Sequence, residues 1–450
     1  MADGDRVPGP APAEVDARAR SGEPTSGQSN EMPGAATRYG LLYSLTYRNF
    51  RLLWLGQASH ASALWMEQIA RPWLVLIMTG DNAAHVGGVV AMRTLPMLFL
   101  GVWAGVIADR FDRRTVLIST KVGVFILSIV FAAILVSGRM ELWMVYAAAF
   151  LRGSFMAFDQ PARQSLIASI VPSHALTNAV ALMSSTQNVM RLVGVMGSGL
   201  VIATLGIEGA FIAIAVIYIG AVVSSWMLDV PSHLLDRKNE EPTTMFQSLV
   251  EGIKYAATQP AILGVLAMSL FFFSFGMSWM QVFASLFART VFETEAVGFS
   301  ALVAISSLGA IAGTLLIASR YPKRLGLILP GSAVLMGGVL ALFSAASYLP
   351  GTPGIVIPFL LVPLVGLAQT AYHSLSNALL LSATPVELRG RVISLLSLDR
   401  AMMSAGAAAG GFLAAAAGVQ IAQITYGLLL VLTGVIVLFA APGLRKFRLE

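Results

Sequence analysis

Residues 105–114 read Gly105-Val-Ile-Ala-Asp109-Arg110-Phe-Asp112-Arg113-Arg114, a charge cluster set between two long apolar runs. Charges crowded this closely are costly in hydrocarbon, so the stretch forms a short water-facing turn between two membrane helices. Arg110, Arg113 and Arg114 fix its side, because short loops rich in Lys and Arg stay cytoplasmic.

The rest of the composition agrees. The chain has 450 residues, 56% of them hydrophobic and only 12% charged, with a mean hydropathy of +0.76. Soluble domains carry about 45–50% apolar and about 25% charged residues, so this is an integral membrane protein. A helical span needs about 20 apolar residues, and the runs between Phe50 and Ala441 leave room for roughly twelve. The runs are continuous rather than alternating, which excludes β-barrel spans. The net charge of +6 reads as a topology signal facing the anionic cytoplasmic leaflet, not as a nucleic-acid surface. The chain has no cysteine, which excludes disulfides, zinc-thiolate sites and thiol lipidation.

Residues 1–47 are rich in Pro, Gly, Ala and Ser and read as a disordered cytoplasmic tail, without the basic start and apolar core of a signal peptide. Residues 48–228 make a first six-helix bundle. Its helices are expected at Phe50–Met78, His85–Ala108, Thr115–Val136, from Leu142 to Pro172, Thr177–Leu205 and Ala210–Leu228. Residues 229–260 form a cytoplasmic linker. In it Thr244 and Gln247 make a capping box, and Phe246, Leu249, Val250 and Ile253 recur at helical spacing, which predicts an amphipathic helix on the inner membrane surface. Residues 261–441 make the second bundle, with spans near Ile262–Phe287, Val297–Ser319, Leu325–Tyr348, Ile355–Leu381, Val392–Ala417 and Ile421–Ala441. Residues 442–450 are a second cytoplasmic tail. Arg320, Lys323, Arg324, Arg389, Arg391, Arg445, Lys446 and Arg448 all fall on the side of Arg114, so both termini are expected inside.

The halves repeat. Gly153 and Pro172 match Gly366 and Pro385 at an offset of 213 residues, and Gly197 matches Gly410 at the same offset. The second-half counterpart of the charged turn, Ser319-Arg-Tyr-Pro-Lys-Arg324, keeps the bases and lacks the acid. Asp109 therefore has no twin.

The pattern G-x-x-x-D-R-x-x-R-R over Gly105, Asp109, Arg110, Arg113 and Arg114 resembles the signature of the major facilitator superfamily, with Asp112 where many members have Gly. Together with NFRLLW at 49–54, TGDNAAHVGG at 79–88 and PARQSLIASIVP at 161–172, it resembles the enterobactin-exporter-like (transmembrane secretion effector) branch. The resemblance implies an all-α membrane protein of twelve helices in two pseudo-symmetric bundles. It also implies a cytoplasmic gate in which Asp109 meets the start of the eleventh helix. There Thr384 and Glu387 make a capping box around Pro385. Arg152 with Gly153 resembles the fourth-helix arginine motif of proton-coupled drug antiporters, although the glutamine between them is missing.

Inside the bundles, Glu67 with Arg71 and Asp159 with Arg163 stand four apart and share a helix face as natural ion pairs. Asp159, near the inner end, reads as structural. Glu67 is open between a structural partner and a proton carrier, with Arg93 as an alternate partner. Arg152, Gln187, Asn188 and Arg191 fall about half way along the fourth and fifth helices at roughly 1.5 Å per residue. Charges that deep face a cavity or a partner. Arg152 and Arg191 can share one positive site or stand in separate ion pairs.

No phosphate loop, dinucleotide fingerprint or metal-ligand cluster is present, so no cofactor, metal or nucleic-acid partner is expected, and the five histidines are scattered. The expectation is a monomeric secondary transporter, not an enzyme, in a bacterial inner membrane. It exports a small amphipathic molecule, siderophore-like or drug-like, in exchange for protons. An uptake carrier or uniporter, or a non-transporting membrane sensor, are the alternatives.

Overall fold

Asp112 closes the charged turn. It accepts from the backbone N–H groups of Arg114 (3.3 Å) and Thr115 (3.0 Å) and from the Thr115 hydroxyl (2.7 Å), which makes it the N-cap of the third helix. A cap explains an acid where related signatures carry glycine. The structure, a computed structural model, describes residues 42–110, 112–229, 253–320, 325–385, 388, 392, 395 and 397–445.

Within these the first bundle comprises α1 (Arg48–Thr79), α2 (Ala83–Arg110), α3 (Arg113–Val136), α4 (Leu142–Ile170), α5 (173–205) and α6 (207–226). Helices α5 and α6 run on as Ser173–Trp226, broken only where Gly206 takes φ 74°, the left-handed conformation that glycine adopts without strain. The second bundle comprises α7 (Pro260–Val291), α8 (Ala296–Arg320), α9 (Leu325–Ala346), α10 (Pro353–Ala383), α11 (Ser397–Ala417) and α12 (Val419–Ala440). By length and composition, seven described helical stretches can cross a membrane, with α5 and α6 counted as one. Helices α1, α2, α4 and α11 are not among them; in α1 and α4, charged residues turned into the bundle, Glu67 and Arg71, Arg152 and Asp159, depress the hydropathy.

Two stretches expected in the tails, 42–47 and 442–445, are structured. Tyr43–Thr46 forms a 3₁₀ turn docked on α5: Ser44 donates from its backbone (3.1 Å) and hydroxyl (2.6 Å) to Asn178 Oδ1. Pro442–Arg445 is a helical turn whose Leu444 is fully buried against α7 and α9. Residues 42–47 and 442–445 are thus packed, since each has a polar or apolar anchor that offsets its ordering cost. The amphipathic-helix expectation at 244–252 lies outside the described residues, although 253–258 are helical.

The 213-residue repeat is built into the packing. A methyl group on Gly153 would strike the carbonyl oxygen of Arg93, and one on Gly366 would strike that of Ser306, so α4 lies on α2 as α10 lies on α8. Small residues serve this purpose in lipid, where helices associate by close packing rather than by hydrophobic exclusion. The bundles meet along two seams, α2 with α11 and α5 with α8. At the first, Gly411 faces the backbone of Ala83 and Gly87; at the second, Gly199 faces Ala296 and Ser300.

One helix breaks the symmetry. In α7 the stretches Phe272–Gly276, Trp279–Phe283 and Phe287–Val291 are π-helical, whereas α1, its counterpart, is α-helical throughout. Such wide turns recur at functional sites.

Candidate functional site

Glu67 is buried on α1 between two arginines. It pairs with Arg71 one turn along the same helix and with Arg152 of α4, whose Nε lies 3.1 Å away. Arg152, the largest fully buried side chain, also donates to the Tyr218 hydroxyl of α6, which lies 3.3 Å from His60 Nδ1. A cavity of about 20 Å³ touches Glu67, Gln68, Arg71 and Arg93. That is room for about one water molecule.

A second ion cluster lies nearer the Arg114 end. Asp159 is held by Lys121 Nζ of α3 at 2.6 Å and by Arg163 Nε at 3.5 Å. The predicted pair Asp159–Arg163 is therefore a triad. Each buried carboxylate is shared by two cations, an arrangement that leaves Nε and Nη1 of Arg71 without a hydrogen-bond acceptor.

Arg93 is engaged with two amides. It donates to Gln68 Oε1 (2.9 Å) and to Gln281 Oε1 of α7 (3.1 Å), while Gln68 Nε2 donates to the same Gln281 oxygen (2.6 Å). Gln68 and Gln281 are repeat equivalents, 213 residues apart, so this knot sits where the pseudo-twofold relation brings one position against itself. One residue along α7, Met280 Sδ lies 3.3 Å from Nη2 of Arg191, whose guanidinium covers the Trp65 ring at 5.1 Å. Arg152 and Arg191 thus have separate surroundings, the first inside the Glu67 cluster and the second between the bundles.

Gln187 and Asn188 do not join either cluster. Asn188 is exposed and lies on one face of α5 with Thr177, Ser184 and Arg191, at alternating spacings of seven, four and three. A polar stripe through a membrane helix faces water or protein, not lipid.

Polar contacts link the bundles from mid-helix to the Asp81 end. They include Gln68–Gln281, Arg93–Gln281, Arg191–Met280, Ser404 Oγ to the Ala91 carbonyl (3.2 Å) and Arg289–Asp81 (2.9 Å). At the Asp81 end Arg289 also covers Trp73, and Trp73 stacks on Phe299. At the Arg114 end Arg113 reaches Ser169, and Arg114 binds the carbonyls of Trp226 and Leu228, all within the first bundle. The side chains of Gly105, Asp109 and Arg110, and residue Glu387, lie outside the described residues. Thr384 is buried at the end of α10 in extended conformation.

The sequence reading missed Gln68, Gln281, Tyr218, Lys121, His60 and Trp65. Three had a signal: the offset of 213 maps Gln68 onto Gln281, and Lys121 is a lone charge in an apolar run. Tyr218 and His60 obey no spacing rule.

A family model described as "Transmembrane secretion effector" matches residues 41–447. The staphyloferrin A transporter of Staphylococcus aureus is 27% identical over 350 residues, covering 76% of this chain and 83% of that one. Macrolide efflux protein A of Streptococcus pyogenes is 25% identical over 358 residues, covering 78% and 86%. Among solved structures, a bacterial homolog to the human lysosomal transporter Spinster, inward-facing and unoccupied, superposes with a TM-score of 0.69 at 14% identity, over 90% of this chain and 98% of that one.

Proposed function

The chain belongs to the transmembrane secretion effector family, multi-pass membrane transporters of the major facilitator fold and not enzymes, and from that premise we propose that it exports a small amphipathic molecule in exchange for protons. The observation that carries this reading is the join at the Asp81 end together with the polar stripe of α5 running to Arg191. The basic turns put the Arg114 end on the cytoplasmic side of a bacterial plasma membrane, with both termini on that side. Relatives named for macrolide efflux and for staphyloferrin A support a small-molecule cargo. Glu67 carries the exchanged proton, released or taken up as Arg71, Arg152 and the one-water cavity change places around it. Asp109, with Arg110, Arg113 and Arg114, gates the inner end against the segment between α10 and α11, at Thr384 and Glu387.

The test is transport in inverted vesicles with and without an imposed pH gradient. Accumulation of a siderophore-like or macrolide cargo that rises with an inside-acid gradient supports export by antiport. Uptake in right-side-out vesicles, with none in inverted ones, reverses the direction.

The Asp81–Arg289 pair gives a conformational test. Both side chains are more than a third exposed, so Arg289→Ala is expected to cost only about 0.2–1 kcal/mol of closure. That raises the outward-open fraction up to about fivefold. In this cysteine-free chain, cysteines at 81 and 289 joined by a short cleavable linker are expected to stop transport until the linker is cut. Unchanged transport in the cross-linked protein rules the latch out.

A further inference from the structure

We propose that the cargo is an oxyanion-bearing molecule, a carboxylate or phosphate, received between the bundles by Arg191 beside Trp65, with Arg93 as the second cation behind it. The inference rests on the transport reading and narrows its substrate class.

The charge balance of the first bundle carries it. Its deeply placed cations are Arg71, Arg93, Lys121, Arg152, Arg163 and Arg191; among the described residues its buried carboxylates are Glu67 and Asp159. Glu67 and Asp159 are already taken by two cations each. Among the described residues, Arg93 and Arg191 have no carboxylate in ion-pair range: Arg93 has only amide oxygens, and Arg191 a thioether and a ring face. A thioether is a weak acceptor. Nε of Arg191 and Nε1 of Trp65 are both shielded and have no acceptor at all. A cation and a neighbouring donor left unsatisfied inside a membrane protein are costly, and an arriving anion removes that cost. A basic cargo adds to it.

The placement fits entry from the cytoplasm. Thr177, Ser184, Asn188 and Arg191 form one stripe on α5, and beyond Arg191 the same helix is closed by buried Val195 and by Ser198, bonded to the Met66 carbonyl. Arg191 is the last polar group of the stripe before the seam. Arg191 and Arg93 touch neighbouring residues of α7, Met280 and Gln281, in its π-helical turn. An anion that draws Arg191 off Met280 therefore loosens a contact between the bundles.

The test is equilibrium binding to the purified full-length protein of benzoate, citrate and phenyl phosphate, against erythromycin as the basic probe. The expected result is binding of at least one anion with no competition from erythromycin, carboxylate and phosphate being told apart by which probes compete. Arg191→Gln is expected to weaken that binding about tenfold or more, as for loss of a charged hydrogen bond, while the unliganded protein melts at the same or a higher temperature. Should Arg191→Gln fail to fold, Arg191→Lys, with a partial loss, and Trp65→Phe, which removes the indole donor alone, carry the test. Binding of erythromycin but of no anion overturns the proposal, and so does anion binding unchanged in Arg191→Gln. Either result leaves export itself standing, which the vesicle experiment decides separately.

Discussion

Glu67→Gln is expected to abolish the response of efflux to an imposed pH gradient and to destabilise the protein by roughly 3–5 kcal/mol, the usual effect of removing one partner from a buried ion pair. The size follows from what Glu67 holds. It is the carboxylate shared by Arg71 and Arg152, both nearly inaccessible, so its neutralisation leaves two guanidinium groups without a counter-charge. Glu67→Asp keeps the charge on a shorter arm and is expected to retain gradient dependence with reduced stability. The double variant Glu67→Gln with Arg71→Gln removes one charge of each sign. It is expected to recover part of the lost stability, with a coupling of about 0.5–3 kcal/mol for residues in contact, and to remain unresponsive to the gradient. Melting temperatures in detergent and vesicle efflux separate the two effects. A Glu67→Gln protein that still responds fully to the gradient leaves Glu67 as scaffolding. The coupling acid must then be sought at Asp159, already held by Lys121 and Arg163, or at Asp399, buried on α11 and bonded to Ser269 at 2.7 Å.

The fold was legible because a bilayer leaves a chain few options: apolar runs of fixed length, charged turns and the signature at 105–114 together specify the spans. The repeat was legible too, since packing two helices against each other fixes where glycine must stand, and Gly153 and Gly366 stand there. The site was legible only along single helices. Glu67–Arg71 and Asp159–Arg163 announce themselves by spacing. The partners that complete them come from other helices: Arg152 to Glu67 across α4, Lys121 to Asp159 across α3, Tyr218 from α6. No spacing within one helix reports a neighbour on another. The π-helical turns of α7 left no mark in composition either. Arg93 shows the limit clearly, because its place on α2 suggested Glu67 as a partner, and the knot it joins depends on where the second bundle puts Gln281.

Gly153→Ala and Gly366→Ala are expected to destabilise the protein by similar amounts, about 1–3 kcal/mol each as for overpacking a close contact, whereas Gly197→Ala is expected to be neutral or stabilising. All three glycines look alike in sequence, each with a partner or a twin 213 residues away. Their surroundings differ. A Cβ at 153 falls on the Arg93 carbonyl and one at 366 on the Ser306 carbonyl, backbone atoms that cannot turn aside, so α4 must move off α2, and α10 off α8. At 197 a Cβ meets nothing within 4 Å, and replacing a helical glycine by alanine there gains about 0.4–1 kcal/mol through the unfolded chain. The two damaging substitutions lie in different bundles and share no partner, so their effects should add in the double variant. Their functional consequences should differ, because Gly153 sets the position of Arg93, one of the links to α7, and Ser306 on the other side carries no such link among the described residues. Melting curves of the single and double variants, with efflux measured on those that fold, test both halves of the argument. Equal tolerance of alanine at 153, 197 and 366 would mean that the helices are not in backbone contact, and the repeat would then be a relic of sequence rather than a rule of packing.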